Sequence, residues 1–152
     1  MKRLIHIVVI AALLEACGSP SAPSRLTLVI TPDPVTVYPV PMPCPTAGPC
    51  ISLNSASWTL TTTSTLAGVI ETSDVKLASN ETPFASWHYS AGDIVSEAGT
   101  NRISSGGVLT IHQGLLFSVP AVYSGVPVVD VSVRFLPDSG GVMEQTVHAS
   151  LR

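Results

Sequence analysis

The chain has 152 residues, of which 45% are hydrophobic and 11% are charged, and its formal net charge is −3. Its few basic residues form no cluster, which disfavours binding to nucleic acid or to anionic lipid through charge. The length suits one domain, and the abundance of Ser, Thr, Val and Gly is typical of an extracellular β-rich protein.

The first sixteen residues have the pattern of a secretory signal peptide. Lys2 and Arg3 form a basic start, and residues 4–14 are apolar apart from His6. A helix over the apolar run rises only about 16 Å, too little for a hydrocarbon core of about 30 Å. We therefore predict that residues 1–16 are an export signal and not a permanent membrane span.

The end of this signal, Leu14-Glu15-Ala16-Cys17, resembles the lipobox of bacterial lipoproteins. That family has a leucine three residues before the cysteine and a small residue directly before it, whereas Glu15 departs from the usual small or aliphatic residue. The resemblance implies cleavage before Cys17 and lipid on its thiol and new amino group. Gly18 stands where an Asp would favour the inner membrane, so the resemblance favours a lipid anchor in the outer membrane. The alternative is an ordinary secreted protein that is cut elsewhere.

The part of the chain after residue 16 is predicted to be one tethered domain. The signal holds two of the seven basic and one of the ten acidic residues, so the remainder has a net charge of about −4. Residues 17–25 are rich in Ser, Pro and Ala, which predicts a flexible tether. The folded domain is expected over residues 26–152.

The two remaining cysteines are expected to form a disulfide. Cys44 and Cys50 are an even pair in a compartment predicted to be oxidising, and they bracket a short loop. A metal site is the weaker alternative, because no further Cys and no His lies near them. Frequent prolines, which lack an N–H, predict an edge or loop over residues 39–49.

Short runs with apolar alternation predict strands separated by turns. In residues 56–63, Ala56, Trp58 and Leu60 fall on one face of a half-buried strand. Residues 90–107 contain several glycines and are predicted to be a loop. Further strands are predicted over residues 26–30, 35–38, 69–78, 84–89, 108–112 and 115–119, the last two flanking Gly114.

The end of the chain gives the clearest structural pattern. Val129, Val131, Val133 and Phe135 alternate with polar residues, and residues 137–141 form an Asp- and Gly-containing turn cluster. A second alternating run follows it, with Met143, Val147, Ala149 and Leu151 on one face. Two alternating runs around such a turn predict a β-hairpin.

These elements predict an all-β antiparallel sandwich of about seven to nine strands without a helix. The arrangement resembles a bacterial immunoglobulin-like domain over residues 26–152. The resemblance rests on the 28–34 segment, the Trp58 strand, the 99–103 loop before Gly106-Gly107, and the closing hairpin. The spacing of Cys44 and Cys50 is too short for the bridge that joins the two sheets in antibody domains.

The sequence contains no recognisable catalytic motif. His88, His112 and His148 have no nucleophile motif beside them and are expected to be solvated or satisfied structurally. No metal-binding motif occurs, and we expect neither metal nor cofactor. A possible binding surface is the aromatic group of Phe84, Trp87, His88 and Tyr89, although these residues are expected rather to fill the core.

The sequence therefore favours a non-catalytic, lipid-anchored cell-envelope protein that acts as a structural or interaction module. Its partner is expected to be another envelope protein, reached through an added strand at a sheet edge. One alternative is a carbohydrate or cell-wall binding module that uses residues 84–89. Another is a small envelope enzyme or protease inhibitor.

Overall fold

The computed structural model describes residues 25–42, 53–118 and 126–152. The predicted signal, Cys17, and the Cys44 and Cys50 pair lie outside these residues. The described part contains nine strands and one helix: β1 (Leu26–Thr31), β2 (Val37–Val40), β3 (Leu53–Ser64), β4 (Gly68–Ser79), β5 (Thr82–Ser90), α1 (Ala91–Ala98), β6 (Arg102–Ile103), β7 (Val108–Phe117), β8 (Pro127–Pro137) and β9 (Met143–Ser150).

The strands form two sheets that pack face to face. In the first sheet, β3 lies at the centre, with β1 and β2 along one side and β7 along the other. The second sheet has the order β5-β4-β8-β9, and the short β6 pairs with β4. All the pairings between these strands are antiparallel, which confirms the predicted sandwich and its number of strands.

The core lies between the sheets and follows the predicted alternation. Val129, Val131, Val133 and Phe135 on β8 are all buried, as are Trp58 and Leu60 on β3. Because successive side chains of a strand point to opposite faces, the polar residues between these apolar ones lie on the outer face of the sheet. Each fully buried large apolar side chain contributes about 1.5–3 kcal/mol of transfer free energy.

The predicted terminal hairpin is confirmed. Strands β8 and β9 pair without a register shift, from Val128 opposite Ser150 to Phe135 opposite Met143. In the turn, Gly140 and Gly141 have φ values of 91° and 83°. Glycine adopts this left-handed region without the steric cost of a Cβ, which explains why two glycines stand in this turn.

The predicted break at Gly114 is wrong, because β7 runs through it as one ten-residue strand. Exposed and buried residues alternate along its whole length, and Gly114 stays in register opposite Ser57 of β3. Gly114 lies on the exposed side of this alternation, so the missing side chain removes nothing from the core. A glycine in a strand weakens the strand without having to end it.

The expectation of a helix-free loop over residues 90–107 is also wrong, because α1 lies within it. The Ser90 side chain accepts a hydrogen bond from the Asp93 N–H, and the Asp93 carboxylate accepts one from the Ser90 N–H, which is a capping box. Gly99 ends the helix with φ 76°. In α1 only Ile94 is buried, so the eight-residue helix has no long apolar stripe for periodicity to detect.

The cap makes α1 sensitive to acid. Hydrogen bonds from the Ser90 hydroxyl and the Ser90 N–H hold the pKa of Asp93 below its ordinary value of 3.8. A depressed folded-state pKa stabilises the protein above the unfolded-state pKa, and that stabilisation is lost as the pH falls through the folded-state value. We expect Asp93→Asn to lower the stability at neutral pH and the difference from wild type to shrink below about pH 4. Denaturant titrations at a series of pH values measure this, and a difference that does not change with pH contradicts it.

The chain crosses between the sheets just after β1. Pro32 and Pro34 cannot donate a ladder hydrogen bond, and β1 ends before them. Val35 then lies beside the last residues of the chain in a parallel bridge with Leu151. This crossing leaves the preceding part of β9 at the edge of the second sheet.

Candidate functional site

The predicted aromatic group lies on β5, at the edge of the second sheet. Phe84, Trp87 and Tyr89 are half-buried and pack against the core, and the rings of Phe84 and Phe117 are 6.2 Å apart. His88 lies on the opposite, outer face, where it is exposed. The four residues therefore do not share one face, and ligand binding by them stays a prediction.

Tyr89 links the two sheets. Its hydroxyl donates to the Gly114 carbonyl on β7 at 3.2 Å and accepts from the Gly114 N–H at 3.4 Å. Burial raises the pKa of Tyr89 above its ordinary value, and the hydrogen bond to Gly114 opposes that increase. The phenol is thus held as a neutral structural group at physiological pH.

Trp87 lies beside an open cleft between β5 and the end of the first sheet. The cleft has a volume of about 480 Å³ and combines an aromatic ring with hydroxyl groups and exposed main chain. Besides Trp87, its lining residues are Ser55, Ala56, Ser57, Gly114, Leu115 and Leu116. An aromatic ring beside hydroxyl groups suits a small ring-shaped or extended polar ligand.

The larger candidate site is the outer face of the second sheet, which we call the polar face. Strand register places its residues in rows that cross all four strands. The first row runs from His88 through Asp74 and Ser132 to Thr146, and the second from Ser86 through Lys76 and Asp130 to His148. A third row brings Thr72, Arg134 and Glu144 together, with Glu71 Oε2 3.0 Å from the Arg134 Nε.

Two histidine–aspartate pairs lie in these rows. His88 Nδ1 is 2.7 Å from Asp74 Oδ1, and His148 Nδ1 is 2.7 Å from Asp130 Oδ1. A carboxylate accepts hydrogen bonds, so in each pair Nδ1 is the donor and Nε2 faces outward as an acceptor. Each aspartate fixes the orientation of its ring, although both histidines are more than half exposed.

Such pairs supply two of the three parts of a hydrolytic triad. The third part is a nucleophile within hydrogen-bond reach of Nε2. The nearest serine in the first row, Ser132, is instead hydrogen-bonded to Thr146 at 2.7 Å and lies on the far side of Asp74. The third histidine, His112 on β7, pairs with the Thr59 hydroxyl at 3.1 Å. Ser132 is therefore not placed as a nucleophile for His88.

Two further properties hold for the described ranges. Within residues 25–42, 53–118 and 126–152, no group of three His, Cys, Asp or Glu side chains is placed to hold a metal ion. Over the same residues, no helix combines the length and the hydrophobicity that crossing a bilayer requires.

Sequence reasoning missed the aspartates of the polar face as partners of the histidines. Asp130 is one of the polar residues that alternate with the apolar residues of β8, but its contact with His148 depends on the β8–β9 register. Asp74 lies in β4, whose alternation is interrupted by a register shift near Glu71. The polar positions on these strands are a local signal for an exposed face, but they do not show which residues meet.

Comparisons with known proteins find similar solved structures but no matching sequence family. No protein-family model and no curated protein sequence matches the chain. A solved structure of a Bordetella pertussis protein assigned as ApaA is similar, with a TM-score of 0.53 and 15% identity over 87% of this chain and 98% of that one. The X-ray structure of the structural genomics target SoR45 is similar with a TM-score of 0.52 and 12% identity, over 83% of this chain and 85% of that one. At these identities the likeness is to the β-sandwich fold alone.

Proposed function

We propose that the protein is a non-catalytic, lipid-anchored interaction module of the bacterial cell envelope. The observation that carries the proposal is the polar face, where two oriented histidine–aspartate pairs lie on a broad exposed surface. The face presents donors on Lys76 and Arg134, and each of its two histidine rings is hydrogen-bonded to an aspartate.

The charge pattern of the polar face fits a protein partner. Its acidic side chains are Asp74, Asp130, Glu71 and Glu144, and its basic side chains are Lys76 and Arg134. Opposite charges that alternate in this way give orientation and specificity more than raw affinity. A polyanion such as nucleic acid would meet carboxylates beside every cation, so we assign the face to a partner with mixed charges.

The anchor is supported by the lipobox-like sequence that ends at Cys17. Each buried methylene contributes about 0.8 kcal/mol of membrane affinity, and more than one acyl chain is needed for stable attachment. Acylation of both the thiol and the new amino group meets that requirement. With residues 17–25 as a tether, the domain can approach a neighbouring envelope protein with its polar face.

A carbohydrate or cell-wall binding module is the second candidate, and the cleft beside Trp87 favours it. The indole is half-buried and lies beside the cleft residues Ser55 and Ser57. Aromatic rings provide flat apolar surface for sugar rings, and hydroxyls provide hydrogen bonds. This candidate uses the cleft between the sheets, whereas the first uses the polar face.

Crosslinking in native membranes, followed by purification of the acylated protein, tests the proposal. We expect a captured envelope protein to be lost from the His88→Ala/His148→Ala variant and kept by His112→Ala, a matched control on the first sheet. Mass spectrometry is expected to find a lipid-modified Cys17 at the amino terminus. An unmodified terminus contradicts the anchor, and equal capture by both variants contradicts the polar face. Glycan binding that Trp87→Ala abolishes would support the second candidate instead.

A further inference from the structure

The free side of β9 carries main-chain groups in a regular pattern. Near its end, Ser150 accepts from the Val35 N–H at 2.8 Å, and its own N–H donates to Asp33 Oδ1 at 3.3 Å. The Leu151 N–H points the other way, toward the Pro127 carbonyl on β8. Because these directions alternate along a strand, even-numbered residues of β9 face away from β8.

Three even-numbered residues of β9 therefore point their N–H and C=O groups sideways, away from β8 and past the sheet edge: Glu144, Thr146 and His148. Within residues 25–42, 53–118 and 126–152, these groups make no main-chain hydrogen bond beyond the sheet edge. The Thr146 carbonyl accepts from the exposed Gln145 side chain at 3.3 Å, which leaves its second lone pair. The edge of β9 thus has three residues whose main-chain groups are available for pairing. This stretch ends at Ser150, whose main-chain groups are bonded to Val35 and Asp33.

We propose that β9 pairs with β9 of a second copy of this chain, antiparallel and centred on Thr146. This register places Thr146 opposite Thr146, and Glu144 opposite His148 in both directions. All three opposed pairs consist of outward-facing residues, so each forms two hydrogen bonds, about six in total. The second sheet of one copy then joins the second sheet of the other copy into one continuous sheet. This pairing requires neither the lipid nor an envelope partner.

The side chains that meet favour the second copy and this register. The two Thr146 side chains lie opposite each other, and the two Glu144 carboxylates stay apart because each lies opposite the second copy's His148. Within one copy, Glu144 lies 3.9 Å from Arg134, and His148 lies 2.7 Å from Asp130. Thr–Thr pairs across strands are favourable.

Other registers lose these contacts. A shift by two residues removes one rung and places Glu144 opposite either Thr146 or Ser150, whose main-chain groups are already bonded. A shift by four either places Glu144 opposite Glu144 or places Thr146 opposite Ser150, whose main-chain groups are already bonded. Two carboxylates directly opposite each other destabilise a strand pair. The edge is therefore self-complementary in one register.

Cysteine crosslinking of the full chain in the cells that produce it tests the pairing. In a hydrogen-bonded antiparallel pair the two Cα atoms are about 5.5 Å apart, within the range that a disulfide spans. We expect Thr146→Cys to give a disulfide-linked dimer on a non-reducing gel. The control is Thr110→Cys, an exposed threonine on the edge strand β7, in a chain with the same native cysteines. Dimer no more abundant than in this control overturns the proposal, as does a disulfide to a different protein.

Two more experiments test the register and the main-chain bonds. Coexpressed Glu144→Cys and His148→Cys chains are expected to crosslink to each other several-fold more than either does to itself. Thr146→Pro removes an N–H that faces away from β8, so the hairpin is kept and dimerisation is expected to weaken by about tenfold or more. Unchanged dimerisation by a folded Thr146→Pro chain overturns the pairing. Loss of partner capture in the membrane experiment has no bearing on these readouts, so the two proposals fail separately.

Discussion

Replacing Phe135 with alanine is expected to lower the free energy of unfolding by about 3–5 kcal/mol. Phe135 is fully buried on β8, where it pairs with Ile70 of β4 and Met143 of β9. Its ring occupies the space that Gly68 leaves free, since a Cβ on Gly68 would lie 2.6 Å from the ring's Cζ atom. Because Gly68 has no side chain that could move into the hole, the cavity is expected to remain open.

Denaturant unfolding followed by tryptophan fluorescence measures this loss. Leu116→Ala is the matched control, because Leu116 is also a large apolar strand residue but is 60% exposed. The control is expected to change stability by no more than about 0.5 kcal/mol. If Phe135→Ala loses less than about 1.5 kcal/mol, the packing described around Gly68 is not the native packing.

Gln113→Leu is expected to lower stability by about 2–5 kcal/mol, although leucine keeps nearly the same volume. Gln113 is 2% exposed and makes two hydrogen bonds, one within the first sheet to Trp58 of β3 and one across to Ser73 of β4. Its side-chain carbonyl accepts from Trp58 Nε1 at 2.9 Å, and its amide donates to the Ser73 hydroxyl at 2.9 Å. Leucine leaves both partners buried without a bond, and each such group costs about 1–3 kcal/mol.

The same substitution at Gln145 is the control, because that side chain is exposed and bonds only to the carbonyl of the next residue. Chemical denaturation of both variants gives the comparison. A shift in Trp58 fluorescence in folded Gln113→Leu is expected too, since the indole N–H loses its acceptor. Equal stability of the two variants would mean that water or a rearranged side chain replaces Gln113.

The parts of the fold that alternate strictly could be predicted from sequence. On β8, apolar residues at every second position from Val129 to Phe135 point inward, and all four of these residues are buried. On the second run of the hairpin, Ala149 and Leu151 are buried and Met143 and Val147 are half-buried, whereas the polar Gln145 on the same face is exposed. Period-two patterning works here because one face of the strand pair is buried and the other is solvated.

Local chemistry explains what the patterning missed. A window long enough to detect an amphipathic stripe overlooks the short α1, whereas Ser90, Asp93 and Gly99 carry its start and stop signals. The predicted break at Gly114 rests on the tendency of glycine to mark turns, but the pairing of Gly114 with Ser57 continues the ladder.

The candidate site was less predictable than the fold. His88 and Asp74 are fourteen positions apart, and their contact depends on the register of β4 against β5. That register contains an irregularity between Leu77 and Ala78, which composition does not reveal. Residues that meet only through register leave no short motif in the sequence.

The bond between Tyr89 and Gly114 has a consequence for how the first sheet meets its surroundings. The Tyr89 hydroxyl already occupies the main-chain N–H and C=O of Gly114 in the middle of β7. A strand from another protein could pair with β7 at this position only by displacing that hydroxyl. Proteins commonly guard exposed strand margins against unwanted neighbours, and here a single aromatic residue from the facing sheet does so. Tyr89→Phe, which removes this hydroxyl, is therefore expected to make the β7 edge more prone to pair with strands of other molecules.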